Sequence, residues 1–193
     1  MPRQKKEYKM KVKYSDLKNK RVFITGGGSG IGGSIVEHFC EQGSDVYFVD
    51  IDLKETKKLL NKIKKNKYRT PTFIECNLLD INKLEKIIKK IISTKGPIHA
   101  LVNNAANDDR HTTDQVDEKY WENRMAINLK HYFFAAKSVV KAMKKIKYGS
   151  IVNLSSVSWM LGEGDKVVYE TAKSAVVGLT RSFAQEYGKY NIR

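Results

Sequence analysis

Short apolar runs alternate along the chain with longer stretches in which apolar positions recur every three or four residues, the pattern of strands interleaved with amphipathic helices. The runs at Arg21–Thr25, 45–49, 71–75, Ala100–Asn103 and 150–154 read as strands. Helices are expected over 31–42, Leu53–Lys65, the stretch after Asp80, about 117–145 and about 169–187. Local punctuation supports these limits. Gly43 ends the first helix, and Asp80 is placed to cap a helix whose Ile81, Leu84, Ile87, Ile88 and Ile91 share one face, stopped by Gly96 and Pro97. Five strands, each followed by a helix, imply right-handed crossovers and a doubly wound parallel sheet with helices on both sides, a three-layer α/β/α arrangement.

At 193 residues with 41% hydrophobic content, the chain suits one domain, 1–193, with a sizeable core and a basic N-terminal extension, 1–19. The net charge of +15 raises nucleic acid as a partner. Its distribution argues otherwise: the lysines are strewn along helices (Lys57, Lys58, Lys62, Lys64, Lys65, then Lys83, Lys86, Lys89, Lys90) without interleaved aromatics, as on solvated helix faces. No nucleic-acid partner is expected. No apolar run approaches the roughly 20 residues that cross a bilayer, and the charged N-terminus lacks the apolar stretch of a signal peptide, so no membrane association and a cytoplasmic location are expected. Cys40 and Cys76 have neither a CxxC partner nor a nearby His, which points to buried thiols with no metal site.

Thr25-Gly26-Gly27-Gly28-Ser29-Gly30-Ile31-Gly32 lies directly between the first strand and the first helix. Glycines there permit a tight turn and close backbone approach to a pyrophosphate, which the helix N-terminus attracts through free N–H groups and its dipole. Gly26, Ser29, Gly30, Ile31 and Gly32 are therefore expected to hold a dinucleotide. Asp50 ends the second strand 24 residues after Gly26, near the spacing at which an acid meets the adenosine ribose hydroxyls. Its charge would repel the extra phosphate of NADP, so NAD is the expected cofactor. Helix capping is the other use for this carboxylate, and Asp52 competes for it.

Tyr169-Glu170-Thr171-Ala172-Lys173 puts a phenol and an ammonium four residues apart, on one helix face. Tyr14 and Lys18 have the same spacing, but only Tyr169 has Ser156 thirteen residues before it, just after the fifth strand. A nearby ammonium favours the phenolate of a tyrosine, which is otherwise a poor base at neutral pH. Ser155 could serve as well as Ser156, and either could instead tie up backbone.

These motifs resemble the short-chain dehydrogenase/reductase family. The glycine loop is similar to its TGxxxGxG fingerprint, and Asn103-Asn104-Ala105-Ala106 to its NNAG. Cys76-Asn77-Leu78 resembles its segment beside the adenine, with Asn77 where the family usually has Asp. The resemblance implies a Rossmann-type fold and adds Asn77, Leu78, Asn103, Ala105, Tyr169 and Lys173 to the cofactor contacts. It also implies a catalytic set of Asn128, Ser156, Tyr169 and Lys173. Ser156 would hold the reacting oxygen, Tyr169 would exchange its proton, Lys173 would reach the nicotinamide ribose, and Asn128 would support a water that relays protons through the lysine.

Asn107-Asp108-Asp109-Arg110-His111 and Ser158-Trp159-Met160-Leu161-Gly162 follow the fourth and fifth strands, at the sheet edge where ligands bind. Both segments resemble the sugar branch of the family, the NAD-dependent aldose (D-xylose-like) 1-dehydrogenases. A small sugar substrate is thus expected, with Asn107, Arg110, Ser156, Trp159 and Tyr169 against it. Arg110 has a second reading, an ion pair with Asp108 or Asp109, and His111 is expected to be structural. A 3-oxoacyl-thioester reductase is the alternative enzyme, and a truncated, non-catalytic remnant is the alternative of another class. The family's last strands, the Pro-Gly turn beneath the nicotinamide and its substrate lid would lie beyond Arg193, so the fold is expected to lack them and to leave a sheet edge open. Family members form dimers or tetramers through helices matching 117–145 and 169–187, which makes a homo-oligomer the expected state, with Phe133, Phe134 and Val139 as interface or core.

Overall fold

A computed structural model describes residues 12–193; the first part of the basic extension, 1–11, lies outside the described residues. Strands β1 (Arg21–Thr25), β2 (Asp45–Asp50), β3 (Thr72–Glu75), β4 (Ala100–Asn103) and β5 (Ser150–Asn153) form one parallel sheet in the order β3-β2-β1-β4-β5. Thr25 stands opposite Val49 on one side and Asn103 on the other, and Asn103 opposite Asn153. The carboxyl ends of the central strands are therefore level, and every loop leaving them opens on the same edge.

Helices α1 (Gly30–Glu41), α2 (Leu53–Lys65) and α3 (Ile81–Lys95) follow the first three strands. Asp52 and Asp80 cap α2 and α3 by accepting from Glu55 N–H at 3.0 Å and Lys83 N–H at 2.9 Å. Strand alternation divides the core. Val22, Ile24, Val46 and Phe48 pack with Val36 and Ile63 of α1 and α2 on one face. Phe23, Tyr47, Val49 and Leu101 pack with Leu84, Ile88, Val139, Met143 and Phe183 on the other. Cys40 and Cys76 are both buried free thiols.

The helix expected over 117–145 is broken. It consists of α4 (Glu118–Met125), a π-turn (Ala126–Lys130) and α5 (His131–Ile146). Hydrophobic periodicity does not reveal such an extra residue, because the apolar positions on each side keep a helical spacing. Past β5 a short α6 (Ser158–Leu161), absent from the expectation, precedes α7 (Val167–Tyr187), which starts two residues before 169. On the outer edge of β5, Ile151 N–H donates to Arg193 O at 2.8 Å and Arg193 N–H to Gly149 O at 3.1 Å, so the last residues cover part of the edge expected to be open. Beyond them Val152 is 48% exposed. Among the described residues, no helix is long and apolar enough to cross a membrane.

Ile88 is wholly buried where α3 meets the sheet. Ile88→Ala should lower unfolding free energy by about 2–4 kcal/mol in urea denaturation, whereas Lys90→Ala on the exposed face should stay within about 0.5 kcal/mol.

Candidate active site

The glycine turn after β1 is shaped by close approach. Gly26 has φ 65°, and a Cβ there would lie 2.8 Å from the Cα of Ala105. A Cβ on Gly32 would collide with the Gly26 carbonyl oxygen. Ser29 does not cap α1 with its side chain, so the N–H groups of the first turn stay open to an anion. Asp50 Oδ2 accepts from Gly28 N–H at 2.7 Å, and Oδ1 from the N–H groups of Ile51 at 2.7 Å and Asp52 at 2.9 Å. These donors aim the carboxylate at the turn. Asp52 takes the capping role, so the two aspartates divide the tasks that the sequence left open.

A cleft of about 540 Å³ opens here, lined by Gly26, Ser29, Gly30, Ile31, Gly32, Asp50, Asn77, Leu78, Ala105 and Asn107. Asn77 Oδ1 already accepts from Leu79 N–H at 3.0 Å. Asn103 does not line the cleft. Wholly buried, its amide donates to Asn153 Oδ1 at 2.8 Å and Tyr132 O at 3.3 Å, bracing β4 against β5 and α5. Its neighbour Asn104 lines the cleft instead and donates to the carbonyls of Thr25 at 3.1 Å and Gly26 at 2.9 Å. β4 ends on the inward-facing Asn103, and Asn104, the first residue of the loop, lies at the rim. A second hollow of about 570 Å³, with Lys89, Lys137, Lys141 and Lys145 on its walls, lies between α3 and α5, away from the carboxyl edge.

None of the four residues expected to act together lines this cleft. Asn128, wholly buried in the π-turn, accepts from Asn107 N–H at 2.8 Å and donates to Asn107 O at 2.9 Å, so its amide is spent on the loop after β4. Lys173 is 1% exposed, and Nζ donates to Tyr132 Oη at 2.9 Å and Leu154 O at 2.8 Å. Burial pulls this ammonium down to about 8, opposed weakly by the charge of Asp108. Tyr169, one turn earlier and half-buried, has its ring centroid 5.6 Å from Lys173 Nζ. The two serines differ: Ser155 Oγ donates to Lys173 O at 2.7 Å, while Ser156 Oγ meets Ser158 Oγ at 2.8 Å. A single hydroxyl hydrogen spent on backbone leaves Ser155 without a donor, so Ser156 is the better placed to bind a substrate oxygen. Tyr14, of the other Tyr-Lys spacing, lies against Gln42, remote from all of these.

Arg110 pairs with Asp165 and, at 3.8 Å, with Glu163, instead of with its sequence neighbours. Asp109 pairs with Arg124 at 2.9 Å. The expected local ion pair is thus a clamp between the loop after β4 and the segment leading into α7. His111 serves the same joint: Nε2 accepts from Val168 N–H at 3.3 Å, capping α7. Trp159 on α6 is 37% exposed, beside the exposed Val157, Met160 and Leu161. Tyr132 was missed by the sequence reading, since an aromatic at a helical core position carries no signal of a polar role.

Comparison with known proteins agrees with this geometry. The family model described as short chain dehydrogenase matches residues 20–193. The chain is 40% identical over 180 residues to a D-xylose 1-dehydrogenase from Caulobacter vibrioides, covering 93% of this chain and 71% of that protein. It is 38% identical, over 93% of this chain and 70% of the relative, to a "probable galactose dehydrogenase" from Rhizobium meliloti. The solved aldohexose dehydrogenase of Thermoplasma acidophilum superposes with TM-score 0.81 at 32% identity, over 93% of this chain and 66% of that one.

The buried lysine makes stability depend on pH. Lys173 loses its proton near 8 in the folded chain but near 10.5 when exposed, so between those values the unfolded state binds more protons and folding strengthens as pH rises. Urea denaturation of wild type and Lys173→Met at constant ionic strength should give a difference that moves in favour of wild type from pH 8 to pH 10. A flat difference would contradict the burial-driven depression.

Proposed function

Because the chain belongs to the short-chain dehydrogenase family, oxidoreductases that use nicotinamide cofactors, we propose that it moves hydride between NAD and a sugar, oxidising an aldose at C1 to its lactone. The observations that carry this reading are the buried ammonium of Lys173 one helical turn from Tyr169, and a cleft lined by a glycine turn and an aimed carboxylate.

The cleft fits a dinucleotide. Its glycine turn has no room for side chains at Gly26 or Gly32, and the open helix N-terminus suits a pyrophosphate. Gly26, Ser29, Gly30, Ile31 and Gly32 would hold that group, Asp50 the adenosine ribose, Asn77 and Leu78 the adenine side, and Ala105 the far wall. Asn77 would do so with Nδ2 or the remaining lone pair of Oδ1. The ionised Asp50 favours NAD over a cofactor with an added phosphate. When bound, the nicotinamide accepts or returns the hydride at its ring carbon.

The chain's own residues handle the proton. Ser156 Oγ binds the C1 oxygen, and Tyr169 as phenolate removes its hydrogen while the C1–H bond breaks. The ammonium of Lys173 stabilises that phenolate, and in the reverse direction Tyr169 is the acid. Asn128 keeps Asn107 in place at the cleft. Asn107 and Trp159 fit sugar hydroxyls and the apolar face of a pyranose. Arg110, held by Asp165, contributes through the shape of the loop or through an N–H left free by the pair. The sugar assignment draws on the D-xylose and galactose dehydrogenases that the chain resembles. A second copy of the chain fits the half-exposed Phe133 on α5, 41% accessible, as a homo-oligomer contact.

Tyr169→Phe should lower turnover of NAD with pentoses or hexoses at least about 10³-fold while changing NAD affinity less than about threefold, read by absorbance of the reduced cofactor and by fluorescence binding. Turnover surviving in that variant would refute the assignment of the base. Asp50→Ser should shift the ratio of kcat/KM for NAD to that for NADP at least about tenfold toward NADP. A wild type that prefers NADP and turns over no aldose would overturn the sugar reading in favour of another carbonyl substrate.

A further inference from the structure

Lys173 Nζ carries three N–H bonds when charged and sits where almost no solvent reaches. Two of them have partners: Tyr132 Oη at 2.9 Å and the Leu154 carbonyl at 2.8 Å. Tyr132 is itself wholly buried, and Nζ lies 5.0 Å from the centre of its ring. The direction of the bond is decided by chemistry. An ammonium cannot accept, so the phenol oxygen accepts from Lys173 and sends its own hydrogen to a carbonyl, Leu154 at 3.1 Å or Ala105 at 3.4 Å. Burial keeps this phenol protonated by pushing it far above its ordinary value.

We propose that Tyr132 is a positioning residue for the reaction: its hydroxyl and the Leu154 carbonyl hold two N–H bonds of the Lys173 ammonium, leaving one for the cleft. The proposal rests on the role given above to Lys173. When its own hydrogen goes to Ala105 O, Tyr132 also ties the ammonium to the loop after β4, whose Ala105 is the residue packed against Gly26. The other groups facing Nζ are few. Tyr169 precedes it on α7, Asp108 faces it from the loop after β4, and His131 of α5 is kept neutral by burial, which pulls it down to about 3. The Asp108 carboxylate is exposed to solvent, so the acceptor oxygens at Nζ are the main local support for the charged form.

The test is Tyr132→Phe in the full chain, which keeps the ring and deletes the acceptor. Without cofactor, an NMR titration of the isotope-labelled lysine side chain should show the Lys173 midpoint lowered by about one pH unit, a tenfold change in proton affinity. The alkaline limb of the kcat profile should move down with it, and kcat at pH 8 should fall about fivefold while KM for NAD changes less than about threefold. An unmoved midpoint together with an unmoved pH profile overturns the proposal even if kcat falls uniformly, since packing damage alone would do that. 3-Fluorotyrosine at 132, a weaker acceptor of nearly the same shape, covers the case in which Phe disturbs folding. It should shift the midpoint in the same direction by less, and no shift overturns the proposal. Lys173→Met separates the two levels: full turnover in that variant refutes the active-site reading itself, whereas its loss beside a wild-type-like Tyr132→Phe refutes only the role of Tyr132.

Discussion

A charged ammonium removed from water must be met by oxygen atoms that arrive from somewhere, and the region around Lys173 is built to supply them. The cost of burying a cation falls only when its hydrogens are accepted, and the acceptors here come from a different element than the lysine itself. Leu154 brings the end of β5, and Tyr132 brings α5. Ser155 adds a bond in the other direction, from the β5 loop to the backbone of α7. The register of α5, α7 and the last strand is therefore tied to one side chain, and the half-buried phenol of Tyr169 inherits its position from the same helix.

The glycine turn is joined to the region around Lys173 through Thr25. Its hydroxyl oxygen accepts from the N–H groups of Asn104 at 3.0 Å and Ala105 at 3.2 Å, and lies 3.4 Å from His131 Nε2 on α5. A neutral imidazole can accept the one hydroxyl hydrogen of Thr25, which leaves both backbone donors satisfied. The glycine turn, the loop after β4 and α5 thus meet at a residue that a strand alternation presents inward. Asn128 repeats the device one turn earlier by clasping both backbone polar groups of Asn107. It can do so because the π-turn rotates that residue relative to a continuous α-helix.

Much of the architecture was legible in the chain before any coordinates. Strand β4 and helix α2 have the limits that their residue pattern implied, and Asp52 and Asp80 cap where local chemistry requires. The glycine loop announced its turn, since only residues without Cβ could pack as Gly26 and Gly32 do. The less legible features share one property: they depend on contacts between residues far apart in sequence. The π-turn leaves the apolar periodicity intact on both sides. Arg110 had acidic neighbours at 108 and 109 yet found Asp165, because the loop after β4 folds against the entry to α7. Asn103 and Asn104 were indistinguishable as letters, and only the packing at the end of β4 decided which would face the cleft.

The sequence by itself determined the alternating strand and helix order, the glycine turn, the acid ending β2 and the Tyr-Lys pair on one helix face, because each follows from local geometry at short spacing. Tertiary structure alone decided which serine spends its hydroxyl hydrogen on backbone, which asparagine braces the sheet, and that a core tyrosine lends its oxygen to a lysine 41 residues away. Those outcomes turn on where scarce hydrogen-bond partners fall once the elements pack, and no pattern of nearby residues encodes that.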